Sequence, residues 1–418
     1  MGKDISLLEE ISNKLTEKTL RDILVKKTGK ESVEVTGWEF EPGSNKGDNY
    51  LSIVYRVTID GIVDGENIHT KVVIKGLPHN EATRKTFRSA EFFSNEVNFY
   101  VKVIPKIDEF LRSKNVNYNL PVPRCFGCYC DGKHDYVILE DARELGYGHI
   151  PRHDIWTPED IQIILRCLAR FHAVSFAYKD QYPSEFDEVV KNLSETYYDE
   201  RNWSWYETWF TNCIAVAKDA VSKEYKNTPE AQKFLSLSSR DLWERATKAI
   251  ADKSISIVTQ GDSWPSNFMV CITEEKREAL MLDFQLARCN TIITDVSNFI
   301  YTSTDKEIRD KHLDNLLKYY YEQLSSSIAL LGTDPNRVFP WDVFMKEVKE
   351  KFVIGYSFSL EGLPVMMLDE SEVCDIEVIE GTDGVNIAEV WKVVPLKSKE
   401  KRQRLADMVV DAFQRGFI

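Results

Sequence analysis

No stretch of this chain approaches the roughly 18 apolar residues that a membrane span needs. Its first twenty residues carry Asp4, Glu9 and Glu10 and lack the apolar centre of a secretory signal. A cytoplasmic protein with no membrane span is therefore expected. Without secretion, the glycosylation patterns at Asn192 and Asn202 carry no meaning, and the loose myristoylation pattern at Gly2 is too short to decide anything. No run of Lys and Arg exceeds two or three residues, and 53 basic against 67 acidic residues leave a net charge of −14. Such a surface excludes nucleic acid as the expected partner and repels anionic membranes. Low-complexity segments are absent too, so no long part of the chain reads as disordered. Eight cysteines are present, but Cys125, Cys128 and Cys130 lack a second Cys/His pair at zinc-ligand spacing. That cluster reads as a strand carrying reduced thiols.

A hydrophobic fraction of 43% supplies a packed interior, and 418 residues are too many for one ordinary core. Residues 5–25 show helical periodicity. Strand patterns follow at 33–40, 50–59 and 68–75, with a hairpin turn at Asp64-Gly65-Glu66-Asn67. One long helix is expected over 83–107, then strands over 124–130 and 136–140. Beyond these the pattern turns helical. Thr157 caps a helix with Pro158 at its first position and Asp160 at its third, and further helices are expected over 208–223, 229–251, 306–329, 342–358 and 397–413. The plan is α+β in two lobes: a small antiparallel-sheet lobe over residues 1–141 and a larger, mainly helical lobe over 142–418.

The strongest chemical signal lies between residues 256 and 297. Asp262 and Asn267 stand five apart in a loop after an apolar strand, and Asp283 ends the next apolar strand in Asp283-Phe284-Gln285. Phosphoryl transfer needs a carboxylate to hold the attacking hydroxyl and take its proton, which Asp262 fits. It also needs a carboxylate and an amide oxygen to hold Mg²⁺, which Asp283 and Asn267 fit. A lone loop Asp is usually a turn or cap residue; the ordered set is much rarer by chance. Lys75 ends the strand Val72-Val73-Ile74 and either reaches solvent or needs a buried anion. Glu96 lies among Phe92, Phe93, Phe99 and Tyr100, where an acid is costly without a partner. A Lys75–Glu96 ion pair answers both problems; two unrelated surface charges are the plain alternative. Gly43, Ser44, Asn45, Lys46, Gly47, Asp48 and Asn49 form a loop of glycines and polar residues whose N–H groups could approach phosphates. It lacks the Gly-Lys-Ser/Thr ending of a P-loop and is otherwise a hairpin turn.

The set Asp262, Asn267 and Asp283-Phe284-Gln285 resembles the catalytic and metal loops of the protein-kinase-like superfamily, and more closely its choline/aminoglycoside-kinase branch. The closest resemblance is to the ecdysteroid-kinase-like (CHK-kinase-like) proteins of insects. It rests also on the segments 42–50, Val73-Ile74-Lys75, Glu96-Val97-Asn98-Phe99-Tyr100, Leu139-Glu140-Asp141, Leu168-Ala169-Arg170-Phe171-His172-Ala173 and Gly261-Asp262-x-Trp264. It implies ATP as donor with Mg²⁺ and a small-molecule hydroxyl as acceptor: an ecdysteroid, another apolar alcohol met in detoxification, or an amino-alcohol. It also implies that Lys75 touches the α/β-phosphates, that Leu139, Glu140 and Asp141 form an adenine-binding hinge, and that Asp295 braces the catalytic loop. On the residues alone, 139–141 could equally be an ordinary strand end.

Two departures stand out. Gln260 replaces the usual His before Gly261-Asp262, which lowers the expected rate and keeps a weak nucleotide-binding pseudokinase as the alternative. No Ala-Pro-Glu follows Asp283, which argues against a protein kinase. His172, on an apolar face with Ile161, Ile164, Leu165 and Leu168, reads as a core histidine. Trp203, Trp205, Tyr206, Trp209 and Phe210, with Tyr356, Phe358, Leu360, Leu363, Met366 and Met367, either line an acceptor pocket or pack as core.

Overall fold

The computed structural model describes residues 2–43, 52–149, 156–368, 379 and 381–418. The first lobe starts with two helices, α1 (Ile5–Glu9) and α2 (Glu17–Thr28), not the single helix its periodicity predicts. Thr16 interrupts it, forming a reciprocal capping box with Thr19 that starts a new helix there. Then come β1 (Val33–Pro42), β2 (Ile53–Val63) and β3 (Glu66–Gly76). The turn between β2 and β3 has both central residues in the left-handed region, Asp64 at φ 50° and Gly65 at φ 87°, matching the twist of a two-residue hairpin. With β4 (Cys125–Tyr129) and β5 (Tyr136–Glu140) these strands make an antiparallel sheet in the order β1-β2-β3-β5-β4. Tyr136 and Ile138 point to one face of it, where Ile74, Val72, Leu20 and Ile23 pack; Val137 and Leu139 point to the other.

That other face carries helix. After α3 (Glu81–Phe87), Arg88 adopts a left-handed φ of 54° and restarts the chain. A continuous helical run then extends from α4 (Ser89–Asn98) through a π-turn at Phe99–Val103 into α5 (Ile104–Ser113). The long helix therefore starts later and ends later than its sequence pattern predicts.

The second lobe holds β6 (Gly148–His149), α6 (Pro158–Gln181), α7 (Pro183–Val190), α8 (Trp203–Glu224), α9 (Pro229–Ser236) and α10 (Ser239–Ala251). The cap predicted for α6 is present: Thr157 accepts the Asp160 N–H at 3.2 Å. The helix expected over 229–251 is two, because Ser238 and Asp241 form a capping box between them. Short strands β7 (Ile257–Thr259), β8 (Phe268–Ile272), β9 (Arg277–Met281) and β10 (Arg288–Asn290) frame two loops. The chain ends with α11 (Ile293–Ser303), α12 (Lys306–Leu330), α13 (Pro335–Val338), α14 (Trp341–Lys351), α15 (Val353–Met366), α16 (Ile387–Val390) and α17 (Lys399–Gln414). The helix expected over 342–358 is thus also two. Gly355 lets α15 lie against α11: a Cβ there would stand 2.2 Å from the Asn298 nitrogen. Among the described residues, no helix is long and apolar enough to cross a membrane. The described cysteines are free thiols.

Candidate active site

β3 turns Lys75 toward the long helix, and α4 presents Glu96 to it. Lys75 Nζ donates to Glu96 Oε2 at 2.8 Å and to Asp283 Oδ1 at 3.1 Å. Glu96 is fully buried. Burial pulls the Lys75 ammonium down, but Asp283 and Glu96 outweigh it and hold its pKa above the ordinary value, so Lys75 is charged. The other Glu96 oxygen accepts the Phe284 N–H at 3.3 Å. Asn95, the residue before, donates its amide to the carbonyls of Gln285 at 3.0 Å and Ala287 at 2.7 Å. Phe284 stacks on Phe99 with ring centres 3.9 Å apart. One turn of α4 and the π-turn after it therefore hold the whole 283–287 loop.

Asp262 lies across from Asp283. Asn267 donates its amide to the Asp262 carbonyl at 2.8 Å and to Asp262 Oδ2 at 3.0 Å, which leaves the Asn267 side-chain oxygen as the atom available to a cation. Burial, then the charge on Asp283, pushes the Asp262 carboxyl up to about 7. Asp283 has a left-handed φ of 56°, a conformation that costs a non-glycine residue free energy and recurs at functional sites. An aspartate and an amide oxygen facing one cleft form the hard-oxygen donor set that Mg²⁺ takes; the residues present fit that ion.

Gln260 binds the two loops to each other. Its NH₂ donates to the carbonyls of Leu282 at 2.9 Å and Asp283 at 2.7 Å. Its side-chain oxygen accepts the Asp262 N–H at 2.7 Å and the Ser263 hydroxyl at 3.0 Å. Asp295 accepts the N–H groups of Gln260 and Gly261, each at 2.8 Å, and its Oδ2 meets His172 Nε2 at 2.9 Å. His172 Nδ1 meets the Tyr320 hydroxyl at 2.7 Å, so His172 is a satisfied core residue. Gly261 is needed where it stands: its φ is 87° and a Cβ would sit 1.9 Å from the Leu286 carbonyl oxygen.

The other predicted residues that are described lie on the sheet around Lys75: β2 sets Val54 opposite Lys75, and β5 sets Leu139 opposite Val73. Gly43 pairs through its N–H with the Val54 carbonyl at 2.9 Å; Ser44, Asn45, Lys46, Gly47, Asp48 and Asn49 lie outside the described residues. Leu139 and Glu140 end β5, and the Glu140 N–H is donated to the Arg124 carbonyl at 2.8 Å. The Asp141 side chain is engaged by Arg56, Nη2 to Oδ2 at 2.7 Å, and caps the following turn.

Asp262, Asn267 and Asp283 line one end of a cleft with an empty volume of about 1110 Å³ out to its mouth. Half of the remaining lining residues are aromatic. Of the residues singled out for an acceptor pocket, Trp205, Trp209 and Phe358 face the cleft. Tyr206, Phe210, Tyr356, Leu360, Leu363, Met366 and Met367 pack in the core. Phe87, Phe92, Tyr197, Trp264, Glu361, Ile387 and Trp391 also line it, none of them assigned to an acceptor pocket from the sequence. They are scattered singly over some 300 positions, without a shared motif. The α16 segment reaches the cleft because the first lobe holds it: Asn80 donates to the Ile379 carbonyl at 2.8 Å, Lys85 to the Thr382 carbonyl at 2.9 Å, and the Val385 N–H to Thr86 Oγ1 at 2.9 Å.

A small antiparallel-sheet lobe, a helical lobe and a lysine–glutamate–aspartate junction between them define a two-lobed, protein-kinase-like fold. The chain belongs to the ecdysteroid kinase-like family, whose model matches residues 46–333. No curated protein sequence matches it. Among solved structures, an ethanolamine kinase of Plasmodium vivax is similar at TM-score 0.38 and 14% identity, covering 79% of this chain and 77% of that one. A microcompartment-associated aminopropanol kinase is similar at TM-score 0.37 and 12% identity, covering 96% and 99%. The GDP complex of aminoglycoside 2'-phosphotransferase-IIIa is similar at TM-score 0.38 and 11% identity, covering 83% and 91%.

Proposed function

We propose that this protein is a cytoplasmic small-molecule kinase. It transfers the γ-phosphoryl group of ATP to a hydroxyl of a compound with an apolar body, an ecdysteroid or another apolar alcohol such as a foreign compound being detoxified. The observation that carries this reading is that Asp262, Asn267 and Asp283 line the same cleft as the aromatic wall, so an acceptor hydroxyl and a phosphate could meet there. In this reading residues 1–141 bind the nucleotide and 142–418 supply the chemistry and the acceptor site.

The acceptor hydroxyl sits against Asp262. Its oxygen forms the new bond to the γ-phosphorus, the bond to the β-bridging oxygen breaks, ADP leaves, and the hydroxyl proton passes to Asp262. Asp283 and the Asn267 oxygen would hold Mg²⁺, which would neutralise phosphate charge when bound. Lys75, oriented by Glu96, faces the α/β-phosphates; the 43–49 loop covers them; the backbone at 139–141 receives adenine.

The test is ATP consumption with Mg²⁺ against a panel of ecdysteroids, plant phenols and glycosides, and amino-alcohols. Phosphorylation of a member, lost in Asp262→Asn, is the expected outcome. Stabilisation by Mg-ATP without turnover of any member would favour the alternative, a nucleotide-binding pseudokinase; Gln260 is the residue that keeps it in view.

A further inference from the structure

Glu361 is the one charged residue of α15 and is 6% exposed. Its Oε2 accepts the Tyr197 hydroxyl at 2.6 Å and its Oε1 the Tyr198 hydroxyl at 2.7 Å. Those phenols stabilise a carboxylate but do not neutralise one. Among the described residues no Lys, Arg or His forms an ion pair with it, and its hydrogen-bond donors are Tyr197 and Tyr198. The arginines nearest the aromatic wall are engaged elsewhere. Arg288, over the Phe358 ring at 5.7 Å, is held by both Glu195 oxygens at 2.8 and 2.9 Å. Arg88, over Trp205 at 4.9 Å, pairs with Glu91. A buried carboxylate without a cation is costly to a fold and is a signal of a binding site.

The surroundings say what would complete it. Glu361 lines the cleft beside Tyr197, whose ring stacks on Phe358 at 5.6 Å and meets Trp205 edge-on at 6.2 Å. Aromatic faces are electron-rich and attract cations, most strongly where water is excluded. Asp262 lies in the same cleft and feels the Glu361 charge. A neutral apolar ligand would bury Glu361 further and leave it unmatched; an anionic one would be repelled. Glu361 also lies outside residues 46–333, so membership of the family assigns it no role.

We infer that the preferred acceptor is a lipophilic amino alcohol, its protonated amine held by Glu361 inside the aromatic wall and its hydroxyl directed to Asp262. The inference rests on the phosphotransferase reading of the cleft. It is tested with a matched pair of probes, N-benzyl-4-hydroxypiperidine and its carbon isostere 4-benzylcyclohexanol, which share a hydroxyl and a shape and differ in charge. Calorimetry on the full chain near pH 8 should show the amine binding at least about tenfold tighter, a typical worth of a desolvated cation–aromatic and ion-pair site. Glu361→Gln should remove that advantage and change binding of the isostere little. Equal or tighter binding of the isostere, binding of neither probe, or an advantage that survives Glu361→Gln would overturn the inference. Turnover with Mg-ATP is read separately. Amine-selective binding without phosphorylation would uphold the cation site and count against the kinase reading. Phosphorylation of neutral alcohols alone would do the reverse.

Discussion

The two ends of the cleft are built by opposite means. The proposed phosphate end is made of charged and amide side chains, each bonded to two or more others: Lys75 to Glu96 and Asp283, Gln260 to four groups on two loops. All lie within residues 46–333. The proposed acceptor end is made largely of rings, such as Trp209 stacked on Trp391 at 4.8 Å. Phe358, Glu361, Ile387 and Trp391 come from beyond the matched region. Phosphoryl transfer tolerates little displacement of its carboxylates, so its end is tied by directional bonds. An apolar pocket needs shape and area, which many sequences can supply. In the proposed reading one end carries the phosphoryl chemistry, and the other, partly built from beyond the matched region, follows the ligand.

Substitutions at the two aspartates test the first half of that contrast most severely. Asp262→Asn keeps the shape and the Asn267 contact but removes the proton acceptor. Turnover should fall by about a thousandfold or more, while Mg-ATP binding measured by thermal shift stays near wild type. Asp283→Ala should lose turnover and weaken Mg-ATP binding as well, with ATP alone less affected. If both variants turned over normally, the phosphate end would be wrongly assigned.

The acceptor end should show its character as a cost to stability. Burial, opposed by the hydrogen bonds from Tyr197 and Tyr198, pushes the Glu361 carboxyl up to about 7 from an ordinary 4.5. Tyr197, Tyr198 and Tyr206 surround it, Asp262 lines the same cleft, and among the described residues no base forms an ion pair with it. The folded state thus holds this proton more tightly than the unfolded chain does. Above both values the group is ionised in either state, and the fold bears the full penalty; as pH falls through about 7 toward 4.5 the native carboxyl protonates and the penalty disappears. Glu361→Gln cannot ionise. It should stabilise the apo protein by roughly 3 kcal/mol near pH 8, the gain shrinking with falling pH and vanishing near pH 4.5. Denaturant midpoints at several pH values check it, and a gain independent of pH would show that burial of charge is not its source.

Legibility in the sequence follows the same division. Asp262, Asn267, Asp283, Lys75 and Glu96 could be read because their ordered spacing is rare by chance and because a charged residue in an apolar strand or helix face needs an explanation. The structure brings these five together. The break at Thr16 was missed because apolar periodicity continues through it and only the capping pair marks the stop. Arg88 was missed for a related reason: no residue type announces a left-handed turn as glycine does. The cleft wall was half legible. Trp205 and Tyr206 are neighbours in sequence, yet one faces the cleft and the other is core, since direction on α8 depends on what packs behind it. Glu361 carried a usable signal, an acid in an apolar helix, the same signal that exposed Glu96. Tyr197 and Trp391 carried none.

Gln260 is where the contrast can be sharpened with the smallest change. Its side chain spans the loops of Asp262 and Asp283, and both ends of the amide are used: two carbonyls accept from it, and an N–H and a hydroxyl donate to it. Gln260→Leu fills similar space but leaves those four groups without their partner, each a net loss of about 1 kcal/mol when the loops cannot rearrange. The Asp283 backbone, held at φ 56°, is the part most prone to relax. The expected result is a fall in kcat of roughly tenfold to a hundredfold, with acceptor binding, read by calorimetry, close to wild type. An imidazole has one donor and one acceptor where the amide has more, so Gln260→His should restore only part of the network and not exceed the wild-type rate. A Gln260→His variant that ran much faster would show that the amide is a defect, and would move the chain toward the pseudokinase reading. Equal loss of acceptor binding and turnover in Gln260→Leu would show instead that the two ends of the cleft are one structural unit.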